Sequence, residues 1–274
     1  MSERMKITFL GGGNMAAALI GGLVERGFAP ADIQVIDLQA ANRTALAARF
    51  GVRAVEAADD TALDCDVLVL AVKPQQMKAA LAPLAGRLAQ QVVVSIAAGL
   101  RLADIGRWLG GYCRLVRVMP NTPALIGAGV SGLYADPSVD ARGREGAERI
   151  LAAVGSVVWI ADEAQMDAVT AVSGSGPAYV FHFIEALEAA GTGLGFDVAT
   201  ARRLAIDTVL GAARLAAASD EAPAVLRERV TSKGGTTEAA LASMAASGVF
   251  EAIGAAVRAA EVRGRELGEQ LGKD

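Results

Sequence analysis

The stretch FLGGGNMA places Gly11, Gly13 and Ala16 in G-x-G-x-x-A register, directly after one apolar run and at the head of another. That spacing suits a phosphate clasp. A first glycine allows a tight turn, and a second lets the backbone approach a pyrophosphate. A small third residue lets helix and strand pack closely, while the free N–H groups and positive dipole end of a helix start attract the anion. Glycines spaced this way also occur in purely structural turns; the strand–turn–helix context favours a dinucleotide clasp. Asp37 closes the next apolar run, IQVID. A carboxylate there either bonds an adenine-ribose hydroxyl, which favours NAD because it would repel a 2′-phosphate, or caps the following helix. Arg43 could offset that charge and admit NADP.

Two further loops invite chemistry. LAVKPQQ carries Lys73, which is either a solvated surface lysine or a rim residue facing a nicotinamide or an anionic substrate. SIAAGL ends another long apolar run, and in an open α/β sheet ligands lie beyond the carboxyl ends of the strands. Near the C-terminus, VTSKGGTTEAAL sets Gly234 and Gly235 among Thr231, Ser232, Thr236 and Thr237. Exposed amides, hydroxyls and a helix N-terminus together suit a small carboxylate. Read more plainly, Thr236 or Thr237 caps a helix with Glu238 in its first turn. AVSGSGPAYVF repeats the logic: Ser173, Gly174, Ser175 and Gly176 precede Pro177, as a helix entry or as a second ligand-facing turn.

The elements that must carry these turns alternate in the first half of the chain. KITFL, IQVID, DVLVLAV, QVVVSIA and RLVRVMP read as strands separated by helical stretches, with GVSGLYA and GSVVWIA as two more around a further helix. Strands apolar throughout and separated by helices predict a parallel sheet covered on both faces. After about Ala161 the strand signals stop, and helices are expected over 163–172, 177–190, 199–219, 223–229, 236–247 and 250–271. The fold class is therefore α/β followed by all-α: an N-terminal Rossmann dinucleotide-binding domain over 1–161 and a helical substrate-binding and dimerisation domain over 162–274. Helices this apolar ask for a partner surface, which dimerisation would supply.

Composition narrows the function. Among 274 residues, 26 basic against 30 acidic ones and only 4% aromatics leave no basic stripe with interleaved aromatics, which argues against a nucleic-acid partner. The single histidine, His182, rules out a multi-histidine metal site; in its apolar helical run it reads as packed or at an interface. Cys65 and Cys113 form no C-x-x-C pair and read as buried, reduced thiols of a cytoplasmic protein. Glycines 11–13 break the apolar N-terminal stretch, so it does not read as a secretory signal. The run Pro177–Gly191 is shorter than the roughly 20 residues a bilayer needs and carries Glu185 and Glu188, so no membrane partner is expected.

Taken in order, FLGGGNMA, LAVKPQ, RVMPNTP, DAVTAVSGSGPAYVF and VTSKGGTTEAAL resemble pyrroline-5-carboxylate reductase over nearly the whole chain. The resemblance implies reduction of a cyclic imine, pyrroline-5-carboxylate, to proline with NADPH or NADH. It also implies a homodimer interlocked through the helical domain, with rings such as a decamer of five dimers. By the same likeness Leu10, Gly11, Gly12, Gly13, Asn14 and Met15 hold the pyrophosphate, and Ala71, Val72, Lys73, Pro74 and Ala98 border the cofactor. Ser232, Gly234, Gly235, Thr236 and Thr237 bind the substrate, with Ser173 and Ser175 facing it and Glu163 matching a substrate-region carboxylate. Thr237 and Lys73 are the candidate catalytic residues. Relatives often carry Ser or Asn at the position of Asp37 and Asn at Ala58, so 2′-phosphate contacts are in question here; Lys233 stands in place of a frequent Pro, a tolerated change.

Two rivals remain. A β-hydroxyacid dehydrogenase would place a catalytic lysine on a second-half helix, whereas Lys233 and Lys273 are the only lysines after Lys78 and neither sits mid-helix. A non-catalytic dinucleotide sensor would keep the glycine turn without needing both SGSGPAY and TSKGGTT.

Overall fold

The structure, a computed structural model, describes residues 4–273; the outermost ends of the two expected domains, 1–3 and 274, lie outside the described residues. The strands are β1 (Ile7–Leu10), β2 (Ile33–Ile36), β3 (Arg53–Val55), β4 (Val67–Leu70), β5 (Val92–Ser95), β6 (Leu115–Met119), β7 (Gly129–Ala135) and β8 (Gly155–Trp159). Between them run α1 (Asn14–Glu25), α2 (Ala40–Phe50), α3 (Asp60–Leu63), α4 (Met77–Leu81), α5 (Leu102–Trp108) and α6 (Ala141–Ala152). The rest is helical: α7 (Met166–Val169), α8 (Gly176–Gly193), α9 (Val198–Ala217), α10 (Pro223–Arg229), α11 (Thr236–Ala246) and α12 (Val249–Leu271).

The strands form one 8-stranded sheet in the order β3-β2-β1-β4-β5-β6-β7-β8. Its first six positions follow the doubly wound 3-2-1-4-5-6 order of dinucleotide-binding folds. Every residue of β1, β2, β4 and β5 is buried, which is why these segments read as unbroken apolar runs. Successive residues serve opposite faces: Val67 and Val69 pack with Leu19 and Ile150, Leu68 and Leu70 with Met77 and Ile105.

The sheet departs from the expected all-parallel pattern in one place. β6 pairs with β7 antiparallel, and β8 then follows β7 in parallel, so the sheet is mixed. The connection Pro120–Ala128 contains only a short 3₁₀ turn, Thr122–Ile126, and a parallel crossover needs a dozen or more residues. β3 carries no signal in the sequence because it is a short, half-buried edge strand. Pro83 closes the helix expected over QQMKAALAPLAGRL, leaving α4 and a 3₁₀ turn, Ala82–Leu84.

The chain forms two compact units, Met1–Ser175 with Ala260–Asp274, and Gly176–Ala259. The residues just past the expected Ala161 boundary therefore belong with the sheet, as does the last part of α12. That part docks through its glycines. A Cβ on Gly268 would lie 2.7 Å from the Gly99 carbonyl oxygen, one on Gly272 would collide with Asp104, and Arg107 Nη2 donates to the Gly272 carbonyl at 2.7 Å. The helix backbone thus rests directly on the loop that follows β5. His182 is exposed on α8 rather than packed within the chain.

Candidate functional site

In the first unit, a cavity of about 570 Å³ opens at the carboxyl ends of β1, β2 and β4. Leu10 to Gly13, Asp37 and Ala71 to Lys73 line it; Asn14, Met15, Pro74 and Ala98 do not. The three glycines do different work. Gly11 has φ +100°, its N–H donates to the Ile36 carbonyl at 2.7 Å, and a Cβ there would stand 2.7 Å from the Ala71 carbonyl oxygen. Gly12 donates its N–H to Asp37 Oδ2 at 2.6 Å. Gly13 is the N-cap of α1, in ordinary extended backbone, with no side-chain cap and no acidic residue in the first turn that follows. Nothing lies within 4 Å of a Cβ built on it. The helix start is left open, with its amides facing a space that no protein group fills: a cradle that fits a pyrophosphate.

Asp37 does not cap α2, whose N-cap is Gln39. Its Oδ1 accepts from the Gln39 N–H at 2.7 Å and its Oδ2 from Asn42 Nδ2 at 3.0 Å, besides the Gly12 amide. The carboxylate is thereby fixed at the rim. Leu38, 82% exposed beside it, offers an apolar platform at the same end. Lys73 is exposed at the mouth, across β1 from Asp37.

A second cavity, of about 600 Å³, lies at the opposite edge of the sheet, against the amino ends of β4, β5 and β6. It has no glycine turn, and its charges include the Arg114–Asp140 ion pair at 3.1 Å. It lacks the features that suit a dinucleotide.

The second unit carries the hydroxyl-rich turn. Gly234 sits at φ +72°, and Gly235 donates its N–H to the Ser232 carbonyl at 3.0 Å. Gly235, not a threonine, is the N-cap of α11, and no side chain caps there; Thr236 and Thr237 are its first two residues. Glu238 reaches back instead, its Oε2 accepting the Gly234 N–H at 2.6 Å. Thr237 is half-buried, while Ser232 and Thr236 are exposed. Thr231 turns its hydroxyl inward to the Arg227 carbonyl at 2.6 Å.

SGSG is not an open turn ahead of a helix. Thr170–Gly174 form a π-helical turn directly after α7, a form that often marks functional sites. Pro177 explains it in part: having no N–H, it leaves the Ser173 carbonyl without its i+4 donor. Asn121 Nδ2 supplies one at 3.2 Å, while Asn121 Oδ1 accepts the Val130 N–H at 3.0 Å. Ser173 Oγ donates to the Val169 carbonyl at 2.9 Å, and a Cβ on Gly174 would meet Met119 Cε at 2.6 Å. The turn is pressed onto the carboxyl end of β6.

Glu163 is committed to the frame. Its Oε1 accepts from the Leu102 N–H at 2.9 Å and from Arg117 Nη1 at 3.1 Å, while Arg117 Nη2 lies 3.6 Å from Asp167. Glu163, expected as a substrate-region carboxylate, thus faces a buried cation. Arg117 itself is 3% exposed on β6. An arginine inside an apolar strand is a signal that partners must wait nearby, and it went unread, as did Asn121.

Residues 163–267 match a family described as pyrroline-5-carboxylate reductase dimerisation, and residues 6–99 one described as NADP oxidoreductase coenzyme F420-dependent. A pyrroline-5-carboxylate reductase of Pseudomonas aeruginosa is 50% identical over 269 residues, covering 98% of this chain and 98% of the relative. The chain belongs to the pyrroline-5-carboxylate reductase family. A solved pyrroline-5-carboxylate reductase from Coxiella burnetii superposes with a TM-score of 0.93 at 40% identity, over 97% of this chain and 99% of that one. A Plasmodium falciparum pyrroline carboxylate reductase, solved with NADP bound, gives a TM-score of 0.84 at 28% identity over 97% and 99%. The Rossmann region followed by a helical dimerisation region is thus the architecture of pyrroline-5-carboxylate reductases, and the chain carries the family's oligomer-forming part. Among the described residues no single helix is long and apolar enough to cross a membrane.

Proposed function

We propose that this chain reduces 1-pyrroline-5-carboxylate to proline, taking hydride from NADPH or NADH. What supports the reading most directly is the first turn of α11: two threonines follow a glycine N-cap, with no side chain in the cap position. A small acid with a basic ring nitrogen matches that set of amides and hydroxyls.

The reduced nicotinamide, when bound, supplies a hydride. The chain's own residues supply position and charge. The amides opening α1 hold the pyrophosphate, and the Ala71–Pro74 and Ala98 loops border the rest of the dinucleotide. Ser232, Gly235 and the amides of Thr236 and Thr237 hold the substrate carboxylate. The Thr237 hydroxyl bonds the ring nitrogen. As hydride adds to the imine carbon, the π pair moves to nitrogen, which must carry or receive a proton. A threonine hydroxyl is a poor free acid, so Thr237 orients the ring and relays a proton that comes from solvent. Holding donor and acceptor at about 3–3.5 Å accounts for much of the acceleration. Lys73, at the mouth of the cavity, adds positive potential for anionic ligands, and Ser173 and Ser175 shape the rim at β6.

The exposed side chains of Phe181, Phe183, Leu204 and Leu210 in the helical unit support a homodimer formed through that unit, and we extend this to a ring of five dimers, which mass in solution would test. Free Cys65 and Cys113 support a cytoplasmic setting. The decisive assay is loss of NADH or NADPH absorbance on adding pyrroline-5-carboxylate. Silence there, with oxidation of a β-hydroxyacid in its place, would move the chain to the dehydrogenase reading.

A further inference from the structure

We infer that Glu56 sets the cofactor choice of this chain toward NADH by keeping Arg43 away from the adenosine ribose. The inference rests on the cavity at β1, β2 and β4 being the dinucleotide site. At its β2–β3 end the lining consists of Asp37, Leu38, Gln39, Asn42, Glu56, Ala57 and Ala58. Two of these are carboxylates and none is a cation. Ala57 and Ala58 have no side-chain donor for a phosphate.

The nearby cation able to reverse this balance is occupied. Arg43 Nη1 donates to the Asp37 carbonyl at 2.8 Å and to the Leu38 carbonyl at 2.9 Å, and its Nη2 pairs with Glu56 Oε2 at 3.2 Å. The guanidinium is therefore folded under the loop, and Arg43 does not line the cavity. Asp37, locked by the Gly12 and Gln39 amides, is held where the ribose hydroxyls of a dinucleotide lie in such folds. A ribose hydroxyl can donate to that carboxylate. A 2′-phosphate, carrying nearly two negative charges, meets Asp37 and Glu56 with no free cation between them.

Glu56 rather than Asp37 is the adjustable element. Its side chain is 68% exposed, so it is loosely held and replaceable, whereas Asp37 also braces the glycine turn. Without the Glu56 charge, Arg43 keeps its carbonyl contacts through Nη1 and has Nη2 free to reach a phosphate.

Calorimetric titration of the full-length protein with NADH and NADPH, and with AMP and adenosine 2′,5′-bisphosphate as adenine-end probes, tests this without turnover. The expected result is NADH bound roughly tenfold or more tightly than NADPH, and AMP more tightly than the bisphosphate. Glu56→Gln should tighten NADPH about tenfold and leave NADH unchanged, and adding Arg43→Ala should abolish that gain. NADPH bound as tightly as NADH by the unaltered protein, or a ratio unmoved by Glu56→Gln, would overturn the inference while leaving the dinucleotide site standing. Failure of both dinucleotides to bind would overturn the site and the inference together.

Discussion

The amide of Gly234 donates to the carboxylate of Glu238 at 2.6 Å, so one of the donors best placed to hold an incoming acid is already taken by the protein's own side chain. The contact steadies a helix start that has no other cap, and it sets a negative charge beside the turn. Glu238→Ala should therefore do two opposite things. The Tm should fall, consistent with losing a cap of about 0.5–2 kcal/mol. KM for the imine should fall several-fold at low salt, with the gain shrinking as ionic strength rises. A KM that rises instead would mean that Glu238 shapes the turn for its ligand rather than competing with it.

Gly11 and Gly13 predict a clean separation of folding from binding. At Gly11 a side chain meets both a positive φ and the Ala71 carbonyl, so Gly11→Ala should lower stability by about 1–3 kcal/mol in urea titrations. Gly13 has ordinary φ and open space in front of it. Gly13→Val should keep the melting temperature while weakening dinucleotide binding more than tenfold, since its side chain fills the space the pyrophosphate needs.

Thr237 is half-buried at the second position of α11. Thr237→Ala should lower kcat by about 10- to 100-fold, equivalent to about 1.4–2.7 kcal/mol, with the Kd for NADH and NADPH nearly unchanged. Thr237→Ser should recover most of the loss. Full turnover by the alanine variant in steady-state assays would remove the hydroxyl from the reaction.

Burial pushes the Cys65 thiol up to about 11, from 9.0 in the unfolded chain. The fold favours the neutral thiol, so this contribution is complete below pH 9.0 and is lost as pH rises towards about 11. The loss amounts to at most about 3 kcal/mol. Denaturation midpoints between pH 8 and 11 should decline more steeply for the unaltered chain than for Cys65→Ala. That comparison also subtracts Tyr112, whose half-buried phenol is raised too. At pH 8 a maleimide should label exposed Cys113 well before Cys65.

Legibility in the sequence followed the reach of the interactions. The buried strands announced themselves because both faces of β1, β2, β4 and β5 are covered, leaving no polar alternation. The glycine turn was readable because its constraints are local, a positive φ at Gly11 and an open amide row after Gly13. The antiparallel step from β6 to β7 was hidden, since strand direction depends on the length and course of the connection rather than on the residues within the strand. The π-helical turn at 170–174 looked like a helix entry because its cause is split between Pro177 and a side-chain amide far away in sequence at Asn121. The pairing of Glu163 was hidden for the same reason: its partner, Arg117, is on another element.

The seating of Gly268 against Gly99 has a consequence for how the chain is made. The sheet-bearing unit is closed by residues translated well after its last strand, so a nascent chain can hold every strand yet lack the helical segment that props the loop after β5. Maturation of that unit must await synthesis of the end of α12. A side chain in place of Gly268 or Gly272 would press on the very segment that completes the beginning of the protein.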